Sequence, residues 1–167
     1  MTLEEQLIKH HEGLKELLPD GRIKAYLCPA HIPTIGYGTT VYKTGKKVQL
    51  GDIITKEQAE SELQYFLSNT RKFIDRLIKV ILNEGQRASL YSFAYNVGIP
   101  NFGDSTLLKK INANPSDPTI EAEFMRWTKS KIKQADGSFK AEDLPGLVKR
   151  RKDEAYCYLH SAINFHV

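Results

Sequence analysis

Glu12 and the stretch from Ala25 to Thr39 carry side chains suited to chemistry: a carboxyl at Glu12, a thiol at Cys28, an imidazole at His31 and a hydroxyl at Thr34. A carboxyl group in a partly apolar cleft can stay protonated near neutral pH, because desolvation disfavours its charge, and can then deliver a proton. A hydroxyl can orient a water molecule. A thiol can act as a base, or steady a positive charge, only as thiolate, which requires a cationic neighbour. His31, three residues on, is the nearest candidate in sequence. Each side chain also has a plainer reading: a solvated helix glutamate, an inert buried cysteine, a strand threonine bonded to its own backbone.

The elements that must position these groups follow from periodicity. Leu3, Leu7, Ile8, Leu14, Leu17 and Leu18 predict a helix over 3–18, opened by a Thr2/Glu5 capping box. Pro19-Asp20-Gly21 predicts a turn. Pro29 and Pro33 exclude helix, and Ile35-Gly36-Tyr37-Gly38 alternates apolar residues with glycine. Residues 22–39 are therefore expected to form the first two strands of a small antiparallel sheet, with a third strand or loop near 47–50. Glycines in such a pattern mark bends or close approach to the backbone. A carboxyl at a helix end thus faces a glycine-rich hairpin bearing a thiol and a hydroxyl, which is the outline of a cleft. Thr55 and Gln58 open a long helical pattern that runs through Ile81 and breaks at Asn83-Glu84-Gly85-Gln86. Further helices are predicted over 87–97, 107–111, 119–130 and 147–162, and 131–143 is a polar hairpin-like or mobile loop.

The chain has 167 residues, 41% hydrophobic and 26% charged, which fits a folded globular protein and argues against disorder. It has no apolar run of membrane-spanning length. Met1 to Gln6 is acidic and polar, unlike a signal peptide. Two cysteines make neither a disulfide framework nor a metal motif, so a reduced, cytosolic protein without metal or cofactor is expected. The net charge of +4 suits an anionic partner, but basic residues alternate with acids and no nucleic-acid-binding motif occurs, so nucleic acid is not an expected ligand.

Glu12-Gly13-Leu14, Ala25-Tyr26, Cys28-Pro29 and Pro33-Thr34-Ile35-Gly36-Tyr37-Gly38 together resemble the active-site signature of phage-type lysozymes, the endolysins of glycoside hydrolase family 24. Ser92 to Gly98, Ser105-Thr106-Leu107-Leu108 with Asn112, and Leu144 to Arg151 resemble further family landmarks, in the expected order. The resemblance implies an α+β, lysozyme-like fold in one domain over 1–167. It places a sheet-bearing lobe near 20–55, a linking helix near 56–82, and a helical lobe near 84–167 joined by the N-terminal helix. It implies hydrolysis of the β-1,4 bond between N-acetylmuramic acid and N-acetylglucosamine in peptidoglycan, by a set comprising Glu12, Cys28 and Thr34, with Cys28 where the family usually has Asp. Asn96 and Tyr37 are candidate sugar contacts, and either Arg150 or Arg151 is expected to hold Glu12 in place. A monomer is expected, waiting in the bacterial host cytoplasm for a separate holin and then acting on the periplasmic wall.

The chain departs from the family pattern in two respects, of which the lesser is Thr39, a position where many relatives carry His and where a structural part is expected. Glu12 and Cys28 lie sixteen positions apart where nine is typical. Either the first helix is longer or a loop precedes the first strand. A rival account makes Asp20, eight positions from Glu12, the second carboxyl. A rival function is a catalytically weakened peptidoglycan-binding protein on the same fold.

Overall fold

The computed structural model describes residues 1–166, and for residues 132 and 133 the backbone alone. Helix α1 (Leu3–Glu12) opens with the capping box that its sequence calls for: the Thr2 hydroxyl accepts from the Glu5 amide and the Glu5 carboxylate from the Thr2 amide. It stops at Glu12, not near residue 18, because Gly13 takes φ +62° and donates its N–H back to the Lys9 carbonyl. A positive φ ends a right-handed helix at little cost only at glycine. Residues 13–22 form a loop that runs on into the first strand. Leu17 bridges Ile23, the Leu18 amide donates to the Arg22 carbonyl at 2.8 Å, and the Lys24 amide donates to the Glu16 carbonyl at 3.0 Å.

Strand β1 (Ile23–Lys24) pairs antiparallel with β4 (Ile53–Ile54), and β2 (Tyr26–Leu27) with β3 (Pro33–Thr34). Of the third strand or loop expected near 47–50, the structure has a loop: Lys47 makes an isolated bridge to Val41, after which Asp52 accepts from the Gln49 amide and donates its own amide to the Gln49 carbonyl.

Helix α2 (Lys56–Leu77) links the two halves of the molecule. The linking helix expected to run to about residue 82 ends five residues sooner, and Asn112 supplies the reason. Its side-chain nitrogen donates to the Leu77 carbonyl at 2.9 Å and its oxygen accepts from the Lys79 amide at 2.8 Å. These bonds satisfy the last turn, and β-branched Ile78, Val80 and Ile81 add little pull toward helix. The chain continues through α3 (Glu84–Val97), α4 (Ile99–Asp104), α5 (Thr106–Ala113) and α6 (Ile120–Met125). The polar segment after α6 is an antiparallel hairpin, β5 (Lys129–Lys133) with β6 (Phe139–Asp143), and α7 (Pro145–His160) follows. Val167, the end of the expected helical lobe, lies outside the described residues.

Two hydrophobic cores hold these elements. The smaller gathers Ile23, Ala25, Ile35, Val48, Ile54 and Ala59 under the short strands. The larger gathers Leu63, Leu67, Ile74, Leu90, Phe93 and Phe124 among the helices. Each such fully buried side chain contributes roughly 1.5–3 kcal/mol by leaving water. Helix α2 gives Ala59 to one core and Leu63 to the other, and Tyr37 packs against both. Among the described residues no helix is long and apolar enough to cross a membrane.

Candidate active site

Glu12 occupies the last turn of α1, with its side chain 20% exposed. One carboxylate oxygen, Oε1, takes a hydrogen bond from Arg150 Nη1 at 2.6 Å. The other faces the glycine-rich turn: a Cβ built on Gly38 would stand 2.9 Å from Glu12 Oε2, and Gly38 itself has φ +90°. Only glycine combines that backbone with that approach. The turn is closed by paired backbone bonds between Ile35 and Thr39, and Tyr95 fixes it from α3 by donating to the Tyr37 carbonyl at 2.8 Å.

Beneath Glu12 lies a buried ionic network. Arg150 also donates through Nε to Glu154 at 3.1 Å and through Nη2 to the Ser92 carbonyl at 3.4 Å. Burial opposes the charge of Arg150, but the carboxylates of Glu12 and Glu154 outweigh it and push its pKa up. Arg151 pairs with Glu154 at 3.1 Å, donates to the Asn96 side-chain oxygen at 2.8 Å and lies over the Phe93 ring. Burial pulls Arg151 down to about 10, against the attraction of Glu154. The Ser92 hydroxyl donates to Glu154 at 2.7 Å. Two carboxylates and two guanidinium groups thus balance in charge. Such a network is costly to break at one member, because the remaining charge stays buried.

The thiol and the hydroxyl sit on the β2–β3 hairpin. Thr34 lies directly across from Tyr26. Residues two apart on a strand, and residues directly opposite on paired strands, share a face. Tyr26, Cys28 and Thr34 are thereby set on one side of the hairpin. The Tyr26 phenol is pushed up to about 12 by burial, then by the charges of Glu12 and Cys28. Thr34 is nearly buried and donates its hydroxyl proton to the Ile32 carbonyl at 2.9 Å, leaving its oxygen able to accept from water. Cys28 is half-buried and free of disulfide. It opens a tight turn in which the His31 amide donates to the Cys28 carbonyl at 2.8 Å, with His31 at φ +59°.

Open space flanks this arrangement on two sides. A cavity of about 350 Å³ lies beside Gly38, bounded by Phe66 and Thr70 of α2 and by Tyr95 and Gly98 at the end of α3. A second, of about 380 Å³, separates the Pro29-Ala30-His31 turn from Lys131 and Phe139 of the β5–β6 hairpin.

The phage lysozyme family model matches residues 9–154. An endolysin of Acyrthosiphon pisum secondary endosymbiont phage 1 is 39% identical over 148 residues, covering 89% of either chain. The chain belongs to the phage lysozyme family. Among solved structures, the endolysin from Escherichia coli O157:H7 phage FAHEc1 superposes with a TM-score of 0.83 at 35% identity, covering 98% of this chain and 95% of that one. The muramidase domain of SpmX from Asticaccaulis excentricus superposes with a TM-score of 0.70 at 25% identity, covering 93% and 94%. As a lysozyme, the protein is a glycoside hydrolase.

In this lysozyme the two arginines have separate jobs. Arg150 reaches Glu12, whereas Arg151 reaches Glu154 and Asn96. Asn96 is exposed, and its side-chain oxygen is taken by Arg151. The Tyr37 ring lies under the Lys9 ammonium at 5.5 Å, and Tyr37 meets Tyr95 through its carbonyl. Asp20 is spent on its turn, accepting from the Arg22 amide at 3.0 Å and the Arg22 side chain at 2.8 Å, far out in solvent. The residues that sequence reasoning passed over are Glu154, Ser92 and Tyr95. The spacing Arg150, Arg151, Glu154 on a predicted helix was a usable signal for the first, since residues three and four apart meet on a helix face.

Proposed function

We propose that the protein cleaves the β-1,4 bond between N-acetylmuramic acid and N-acetylglucosamine in bacterial peptidoglycan, with Glu12 as general acid. The observation that carries this reading is the placing of Glu12. It ends α1 with one oxygen fixed by Arg150 and the other against the Gly38 backbone at the edge of the cleft. Glycosidic cleavage requires a proton on the leaving oxygen as the anomeric carbon becomes cation-like. Glu12 supplies that proton through Oε2, while Arg150 keeps the carboxyl from swinging away. Thr34 accepts a hydrogen bond from the attacking water, and Cys28, on the same face of the hairpin, borders the reacting sugar. Asn96 and Tyr37 border the sugar path, with Arg151 holding the Asn96 side chain.

The physiological setting follows the same reading. The enzyme waits as a monomer in the host cytoplasm until a separate holin opens the membrane, then reaches the wall. Its net charge of +4 favours adsorption to an anionic surface. The test is clearing of permeabilised Gram-negative cells. Wild type is expected to clear the suspension and Glu12→Gln to lose about a hundredfold or more in rate. Equal clearing by the two proteins, or none by wild type, contradicts the assignment.

A further inference from the structure

At the end of α1, two imidazoles meet one buried carboxylate and a third lies close by. Asp153 of α7 is fully buried. Its Oδ1 accepts from the His166 amide at 2.8 Å and lies 2.6 Å from His166 Nδ1. Its Oδ2 stands 2.9 Å from His11 Nε2, yet the two atoms are not aligned for a hydrogen bond, and both are buried without a partner. The His11 side chain is only 8% exposed. His10, the preceding residue, is exposed and stacks on Phe165 with ring centroids 3.7 Å apart. Donor atoms of His10, His11 and Asp153 all lie within 4.8 Å of one another. Among the described residues, no lysine or arginine meets either oxygen of Asp153.

We propose that His10, His11 and Asp153 form a binding site for a divalent transition metal, with Zn²⁺ the ion its donor set suits. Two imidazole nitrogens and one carboxylate oxygen are a borderline-soft set that Zn²⁺ accepts in tetrahedral geometry. Zinc-bound donors stand roughly 3.3 Å apart, given bonds of about 2.0–2.1 Å. The buried pair is already near that spacing, and exposed His10 closes the remainder by rotating its side chain. A water completes the fourth position. His166 serves as the outer partner of the carboxylate: by holding Oδ1 it leaves Oδ2 turned toward His11 and the ion, an arrangement that supports affinity. Metal ligation needs neutral imidazole. His11 Nε2 is buried and makes no hydrogen bond, so the atom is available to an ion. The ion would tie α1, α7 and the segment leading to His166 together, one residue from Glu12 and one helical turn from Arg150.

Zinc binding to the full chain, stripped by chelator and dialysed, tests this by calorimetric titration and by thermal melting. The readouts do not involve wall cleavage, so failure here leaves the lysozyme reading intact. Wild type is expected to bind one Zn²⁺ per chain and to melt at a higher temperature in excess zinc. His10→Ala alters an exposed side chain and should fold normally; it is expected to weaken binding by about tenfold or more and to abolish the melting shift. His166→Ala is expected to weaken binding as well. Absence of binding at millimolar zinc would overturn the proposal. So would equal affinity in wild type and His10→Ala, or binding that persists in His10→Ala and disappears in Cys28→Ser.

Discussion

The two cysteines show how environment sets what a side chain can do. Cys28 is half-buried on the hairpin. Cys157 is fully buried beside Gly85, and burial, then the charges of Glu4 and Glu154, push its thiol up to about 12. A thiol-blocking reagent applied to the folded protein is therefore expected to add one label, on Cys28, and to abolish wall clearing. Intact mass and turbidity measure both outcomes; two labels, or full activity after one, contradict the role given to Cys28. Cys157 also carries a pH signature. In the unfolded chain its thiol ionises near about 8.5. A folded pKa raised above that value means its contribution is complete below about 8.5 and is lost as the pH climbs toward 12. Denaturant midpoints should fall across that window, and less steeply in Cys157→Ala. Arg150 makes a third case. Arg150→Met removes one cation from between Glu12 and Glu154 and should cost about 3–5 kcal/mol of stability together with most activity, read by denaturation and turbidity. At this scale the sequence named Glu12, Cys28, Thr34 and a pair of arginines. It could not choose between Arg150 and Arg151, because both reach Glu154 along the helix, and only the docking of α7 on α1 turns Arg150 toward Glu12.

The elements were legible where their ends are written in local chemistry. Two capping boxes, at Thr2 and Thr55, sit where the sequence placed them, and a third at Asn83 starts α3 at Glu84, inside the stretch read as a break before a helix at 87. Of the helix ends that sequence reasoning misplaced, that of α1 is set locally by Gly13 and that of α2 at a distance by Asn112. The leucines at 14, 17 and 18 continue a helical spacing past Gly13, yet Leu17 is drawn off to bridge Ile23. The extra residues between Glu12 and Cys28 are thus absorbed as a strand extension with a turn at its tip. Asp20→Ala, at that tip, is expected to leave activity unchanged. Asn112 ends α2 from 35 residues away in sequence, and nothing near Leu77 announces it. Asn112→Ala removes the partners of the Leu77 carbonyl and the Lys79 amide and should destabilise the protein by about 1–3 kcal/mol in denaturant titration. A loss of only a few tenths would show that water replaces both bonds.

Across the whole molecule, the site lies where parts with separate cores meet. The hairpin with Cys28 and Thr34 belongs to the strand-bearing part, Glu12 ends a helix packed on the helical part, and Tyr37 touches both cores. That division explains why the run of α2 was readable from hydrophobic periodicity, and its linking place from the family resemblance, while the site's geometry was not. Periodicity reports which face of an element is buried, but not which of two cores receives it. The account rests on Glu12 delivering a proton to a glycosidic oxygen at this junction. Analysis of the new reducing ends in purified peptidoglycan digested by wild type and by Glu12→Gln tests it most directly. The account predicts fragments ending in reducing N-acetylmuramic acid with wild type and almost none with Glu12→Gln. Fragments ending in N-acetylglucosamine, or cleavage by Glu12→Gln at the wild-type rate, would contradict it.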